Sequence, residues 1–125
     1  MRTHGIRTAI AAASLILGIG AGAARAQDAA VVNAKTIKVN LENDHVRVLE
    51  AELQPGDKEQ MHSHPSSVIY VIAGGSIRNH AADGKTTETT LATGSVLYRD
   101  PLTHWAENIG TTPIHLIVVE LKPAP

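Results

Sequence analysis

The sequence predicts an all-β fold of jelly-roll or small-barrel type. About eight short segments rich in branched or apolar residues recur roughly every 8 to 12 residues. Glycine, proline and Asp-Gly clusters punctuate them, and no stretch keeps helical periodicity long enough to form a helix.

The strands follow in order. Thr36 to Leu41 and His45 to Leu53 are rich in branched side chains, and Pro55-Gly56-Asp57 supplies a turn. Gln60 to His64 is short and stops at Pro65. Val68 to Ala73 is an apolar run closed by Gly74-Gly75, short enough for a buried strand. Ser76 to Ala82 and Thr86 to Ala92 flank Asp83-Gly84-Lys85, where Asp-Gly favours a type I′ hairpin turn. Gly94 opens Ser95 to Asp100, His104 to Ile109 follows, and Ile114 to Leu121 is the last strand. The tail from Lys122 is expected to fray.

The start of the chain reads differently. Arg2, His4 and Arg7 precede an apolar, small-residue run from Ala9 to Ala24, and Ala24-Arg25-Ala26 has the small-x-small pattern of a secretory cleavage site. Residues 1–26 therefore read as a signal peptide and the protein as periplasmic or secreted, with no stable membrane span after cleavage. Residues 27–34 read as a linker or an N-terminal arm able to pair with a neighbouring subunit, and 35–122 as the domain.

Removing 26 of 125 residues leaves 99, enough for one small domain. Three of the 11 basic residues (Arg2, Arg7 and Arg25) leave with the leader, so 8 basic face 12 acidic residues. That acidic balance excludes nucleic acid as a partner. With no Cys, stability rests on packing, and a metal site must use His, carboxylate, amide or water.

His62 and His64 are the strongest chemical signal. On a strand, residues separated by one position point to one face with Cα atoms about 6.6 Å apart, a spacing that suits two ligands of one ion. On a helix the same pair would diverge. His45 and His80 read as solvated surface residues. His115 shares parity with Ile117, Val119 and Leu121, so it reads as a core histidine or an inward-facing support to the site. His104, Ala106 and Asn108 share one face of their strand while Trp105 and Glu107 share the other, which makes Glu107 a poor ligand.

These residues resemble a known family. Gly56, five residues, His62-Ser63-His64 and then Ile69-Tyr70-Val71-Ile72-Ala73-Gly74 resemble the first motif of the cupins. Gly94, His104 and Asn108 resemble the second. The resemblance implies a double-stranded β-helix whose barrel holds one divalent metal, with His62, His64 and His104 as ligands. It further implies Gly56 and Gly74 in turns, Asn108 as a support on the strand that carries His104, and a homodimer.

The chain also departs from that pattern. Where cupins carry a Glu ligand it has Ser67 or, in the alternative alignment, Val68, and neither is a carboxylate. The second motif is one residue short, and Arg99-Asp100-Pro101 replaces its usual turn. A site of three neutral imidazoles keeps the ion's full charge and favours chelating anions.

The functional expectation is a metal-dependent, dioxygenase-like enzyme acting on a small polar or chelating molecule. Fe(II) is the expected ion, with Mn(II), Ni(II) or Zn(II) as alternatives. A non-catalytic sensor or accessory cupin and a metal-dependent isomerase or lyase stand beside it. A barrel interior plugged by Ile69, Val71 and Leu116 would favour the binding module; a carboxylate supplied from elsewhere would favour the enzyme. No catalytic residue is assigned. Ser67, Tyr70, Tyr98, Arg99, Asn108 and His115 are candidates for lining or supporting the pocket. Of Arg47, Arg78 and Arg99, each able to attract a carboxylate, Arg99 lies closest in sequence to His104. With no Phe and only Tyr70, Tyr98 and Trp105 aromatic, the pocket is not built for large flat ligands.

Overall fold

A computed structural model describes residues 27–124. The expected signal peptide, 1–26, lies outside the described residues. Among those described, no helix is long and apolar enough to cross a membrane.

Among the described residues, nine strands build two antiparallel sheets. They are β1 (Ile37–Glu42), β2 (Val46–Leu53), β3 (His62–His64), β4 (Ser67–Ala73), β5 (Gly75–Ala81), β6 (Thr86–Leu91), β7 (Val96–Arg99), β8 (Leu102–Asn108) and β9 (Ile114–Leu121). The larger sheet has the order β1-β2-β9-β4-β7 and the smaller β3-β8-β5-β6. This is the jelly-roll, double-stranded β-helix arrangement.

Alternation sets which residues face inward. On β9, Ile114, Leu116, Val118 and Glu120 are buried and their neighbours are not. On β4, Ser67, Ile69 and Val71 are buried while Tyr70 and Ile72 are exposed. Leu49, Ala51 and Leu53 of β2 and Ile77 of β5 complete the apolar interior.

His115 therefore faces outward. It bonds Glu50 at 2.6 Å and is neither a core residue nor a support to the interior site. Two tracts of like parity compete on β9, and burial goes to the one that holds Ile114, Leu116 and Val118. His80, expected to be solvated, instead stacks on Trp105 with ring centroids 3.6 Å apart and planes 2° from parallel.

Residues 27–34 pack on the chain's own barrel and do not form a free linker. A short helix, α1 (Ala29–Val32), is capped by Asp28, and Ala29 is buried. Asp28 takes a bidentate pair from Arg47 at 2.6 and 2.8 Å, and it bridges to Ser63 beside β3. Asn33 is buried and grips Gln60 through both amide atoms. Sequence periodicity carries no signal for such a segment, because its anchors are polar and long-range.

The Asp83-Gly84 turn also differs from expectation. Only the glycine has positive φ (+88°), so the turn is not type I′, which needs two such residues. The Gly84 amide bonds Ala81 O, and the Ala81 amide bonds Lys85 O. This is the longer hairpin in which a left-handed glycine follows a turn.

Gly74 closes the β4 strand for a packing reason. A Cβ there would lie 1.9 Å from the Leu91 carbonyl oxygen, a backbone atom that cannot step aside cheaply. Gly74→Ala is expected to cost at least about 2 kcal/mol, lowering the melting temperature by roughly 10 °C at this size. An unchanged melt would show that the β4 and β6 ends do not approach this closely.

Candidate metal centre

The site lies inside the barrel. β3 pairs with β8 so that His62 stands directly opposite His104, and His64 projects from the same face of β3 as His62. The three rings cluster with centroids 4.7, 4.8 and 5.5 Å apart. Each offers one ring nitrogen, and these atoms lie within 4.8 Å of one another.

Each ring is oriented by an acceptor on its Nδ1 side. His62 Nδ1 lies 2.7 Å from the Gln60 carbonyl, His64 Nδ1 2.6 Å from Glu120 Oε1, and His104 Nδ1 3.2 Å from Asn79 Oδ1. An oxygen acceptor needs a proton from its partner, and at His62 the Gln60 carbonyl at 2.7 Å is closer than the Asn33 amide nitrogen at 3.0 Å, so the contacts favour the hydrogen on each Nδ1 and the lone pair on each Nε2. The His62 and His64 Nε2 atoms are 2.9 Å apart. His104 Nε2 is buried with no hydrogen-bond partner among the described residues.

That arrangement is unfavourable until a cation enters. Two facing lone pairs repel, and an orphaned buried acceptor costs about 1–3 kcal/mol. Adjacent ligands of one ion, each about 2.1 Å from it, stand about 3 Å apart when they subtend a right angle, close to the observed 2.9 Å. The residues thus fit a divalent metal, which His62, His64 and His104 would hold through Nε2.

Burial and neighbours shape the titration. Desolvation, and then the neighbouring imidazoles, push His104 down to about 3; burial also lowers His62. Both are therefore neutral at physiological pH, the form that ligates.

Two carboxylates reach the site that sequence reasoning did not assign to it. Glu120 on β9 is 4 % exposed and pairs in register with Ser67, the more buried of the two positions, Ser67 and Val68, that align with the Glu of the cupin pattern. Its carboxylate is spent on His64 and stands 3.6 Å from Arg47, so it would orient His64 from outside the coordination sphere of a bound metal. An acid on the inward, apolar parity of β9 was its signal. Glu59, in the loop before β3, lies 3.9 Å from His62 Nε2 and accepts the Ala106 amide at 3.2 Å. Burial raises its pKa to about 7, against lesser lowering by the Ala106 amide and Arg99. A loop residue has no periodicity to reveal it.

The other sequence candidates divide. Ser67 and Arg99 line the cavity beside the histidines. Asn108 is buried but ties Leu53 O, Thr112 O and the Gly110 amide, so it holds the β8 turn and does not touch the imidazoles. Tyr70 and Tyr98 are exposed on the outer face, because they alternate with the inward Ile69, Leu97 and Arg99. Glu107 is also on the outer face, paired with Arg78 at 2.8 Å and His80 at 3.1 Å. Of Ile69, Val71 and Leu116, the expected plug, Ile69 and Leu116 line an open cavity and Val71 is buried in the apolar core.

Glu59 makes a test of this electrostatic picture. Its folded-state pKa is raised from 4.5 to about 7, so the protonated form is favoured. The associated stability is complete below about 4.5 and is lost as pH rises through 7. Glu59→Gln, which mimics the protonated acid, is expected to be near neutral at pH 4.5 and to stabilise the metal-free protein at pH 8.5 by on the order of 3 kcal/mol. Urea unfolding at both pH values measures this, and an equal effect at both would contradict it.

Comparison with known proteins places the chain. The cupin domain family matches residues 49–120. None of the curated proteins matches the sequence. Among solved structures, a cupin domain from Bordetella pertussis is similar at 22% identity and TM-score 0.64, over 70% of this chain and 92% of that one. A conserved protein with a double-stranded β-helix domain from Klebsiella pneumoniae is similar at 26% identity and TM-score 0.52, over 70% and 77%. An RmlC-like cupin family protein from Methanocaldococcus jannaschii is similar at 19% identity and TM-score 0.55, over 72% and 84%. With the family matched across more than half of its length, the chain belongs to the cupins.

Proposed function

We propose that this chain is an exported cupin metalloenzyme of the dioxygenase-like kind, using three histidines to hold one divalent ion, Fe(II) first, against a small polar or chelating substrate. One observation carries the reading. Three imidazoles have their Nδ1 atoms tied to acceptors, so their Nε2 lone pairs are left to face one another inside the barrel. A divalent ion supplies Lewis acidity there and, if iron, one-electron chemistry.

The chain's own residues do the rest. Gln60 O, Glu120 and Asn79 fix the three rings, so little reorganisation accompanies loading. The apolar walls, among them Leu49, Ile69 and Val118, exclude bulk water and strengthen interactions within the cavity. Glu59 can take a proton at Oε2 from a bound group and return it, since its pKa lies near 7. The same buried acid favours, as a second reading, the proton-transfer chemistry of a metal-dependent isomerase or lyase. Homodimerisation is supported by the exposed side chains of Tyr70, Ile72, Val96 and Tyr98 on the outer face of β4 and β7.

The first test is stoichiometry. Elemental analysis of the mature protein, purified without a His tag and reconstituted with Fe(II), Mn(II), Ni(II) or Zn(II), is expected to give about one equivalent, and a His62→Ala, His64→Ala variant little. Less than about one-tenth of an equivalent in the unsubstituted protein, with no thermal shift, would overturn the reading. Oxygen uptake with a turned-over substrate then distinguishes the oxygenase from the isomerase or lyase.

A second test concerns Glu120. Glu120→Leu removes the acceptor on His64 Nδ1 and is expected to weaken metal binding by about 10- to 100-fold in a chelator competition. Unchanged affinity would mean that His64 needs no such support.

A further inference from the structure

Three arginines fall within the domain's sheets, and two have their charge matched. Arg47 is held by Asp28 at 2.6 Å with Glu120 at 3.6 Å, and Arg78 by Glu88 at 2.6 Å and Glu107 at 2.8 Å. Arg99 has no hydrogen bond or ion pair from its side chain among the described residues. It is nonetheless not a solvated surface arginine. It pairs in register with the buried Ser67, which places it on the inward face of β7, and it lines the same cavity as His62, His64 and His104. Its charge reaches both His104 and Glu59.

We propose that Arg99 is the carboxylate anchor of this pocket and that its ligand is a small carboxylic acid with a second oxygen donor on the adjacent carbon. The proposal rests on the metal reading above and specifies its substrate class. Arg99 is half-buried, so its guanidinium faces the cavity with no acceptor from the described residues and stays open to an incoming one, and a carboxylate matches its fork of donors. The three neutral imidazoles leave the charge of a bound cation uncancelled, so an anion is favoured from that side too. An acid spanning the two would place its carboxylate toward Arg99 and its second oxygen toward the Nε2 cluster. There Glu59, 3.9 Å from His62 Nε2, is placed to accept a hydrogen bond from a hydroxyl. Size sets the limit. The cavity is about 50 Å³, room for about three to five water-sized groups, and Leu97, Leu102 and Ile69 close around it. A two- or three-carbon acid fits, and an aromatic acid does not.

Glycolate and its neutral amide, glycolamide, test this by titration calorimetry on metal-loaded and metal-free protein, with metal content measured on the same samples. Glycolate is expected to bind the loaded protein at least about tenfold more tightly than glycolamide. Arg99→Gln is expected to weaken glycolate at least about tenfold, to leave glycolamide nearly unchanged and to keep the metal content; Arg99→Lys should retain part of the glycolate binding. Equal binding of acid and amide, or glycolate affinity unaltered by Arg99→Gln, would overturn the anchor. A protein that takes up no metal overturns the metal reading alone: Arg99-dependent glycolate binding to it would still support the anchor, and no such binding would overturn it. A circular dichroism melt guards against misfolding, with Arg99→Lys deciding if Arg99→Gln does not fold.

Discussion

A barrel that buries three imidazoles must give each Nδ1–H an acceptor, and much of this fold's polar structure exists to do so. Gln60 O serves His62, Glu120 serves His64 and Asn79 serves His104. These acceptors come from three separate parts of the chain, the loop before β3, β9 and β5. The arm reinforces two of them. Asn33 clamps Gln60 through both amide atoms, and Asp28 engages Arg47, which in turn faces Glu120. Residues 27–34 thereby support the rings from outside the barrel.

The same constraint accounts for the departure from the family's motif. In place of the usual Glu on the β4 side stands Ser67, and directly across the strand pair stands Glu120. A carboxylate is present at the site but is bonded to His64 Nδ1, away from the Nε2 atoms that would hold an ion. The ligand set then stays neutral, a bound cation keeps its charge, and the cavity favours anionic partners. Arg99 adds positive charge on the same side of the balance. Glu59 lies 3.9 Å from His62 Nε2, and burial holds its pKa near neutrality.

Much of this was legible in the sequence because it is periodic. The strands, their glycine closures and the pairing of His62 with His64 follow from alternation and turn chemistry. The third histidine of the cluster, His104, came from the motif resemblance, and β8 parity put Glu107 on the outer face. What was not legible depends on register or on loops. His115 and Glu120 lie on opposite parities of β9, and only the sheet's packing decides which faces inward. Tyr70 and Tyr98 were placed outside by the same alternation that placed Ile69, Leu97 and Arg99 inside. Glu59 and Asn33 belong to segments without a repeat, so their contacts with His62 emerge only in three dimensions.

The Nε2 atoms of His62, His64 and His104 are expected to share one ion. X-ray absorption at the metal edge of the reconstituted protein tests it most directly. Three imidazole nitrogens at about 2.0–2.2 Å, with the outer-shell scattering of histidine rings, are predicted, falling to two in His104→Ala. An ion bound by oxygen donors alone, or a spectrum unaltered by His104→Ala, would contradict it.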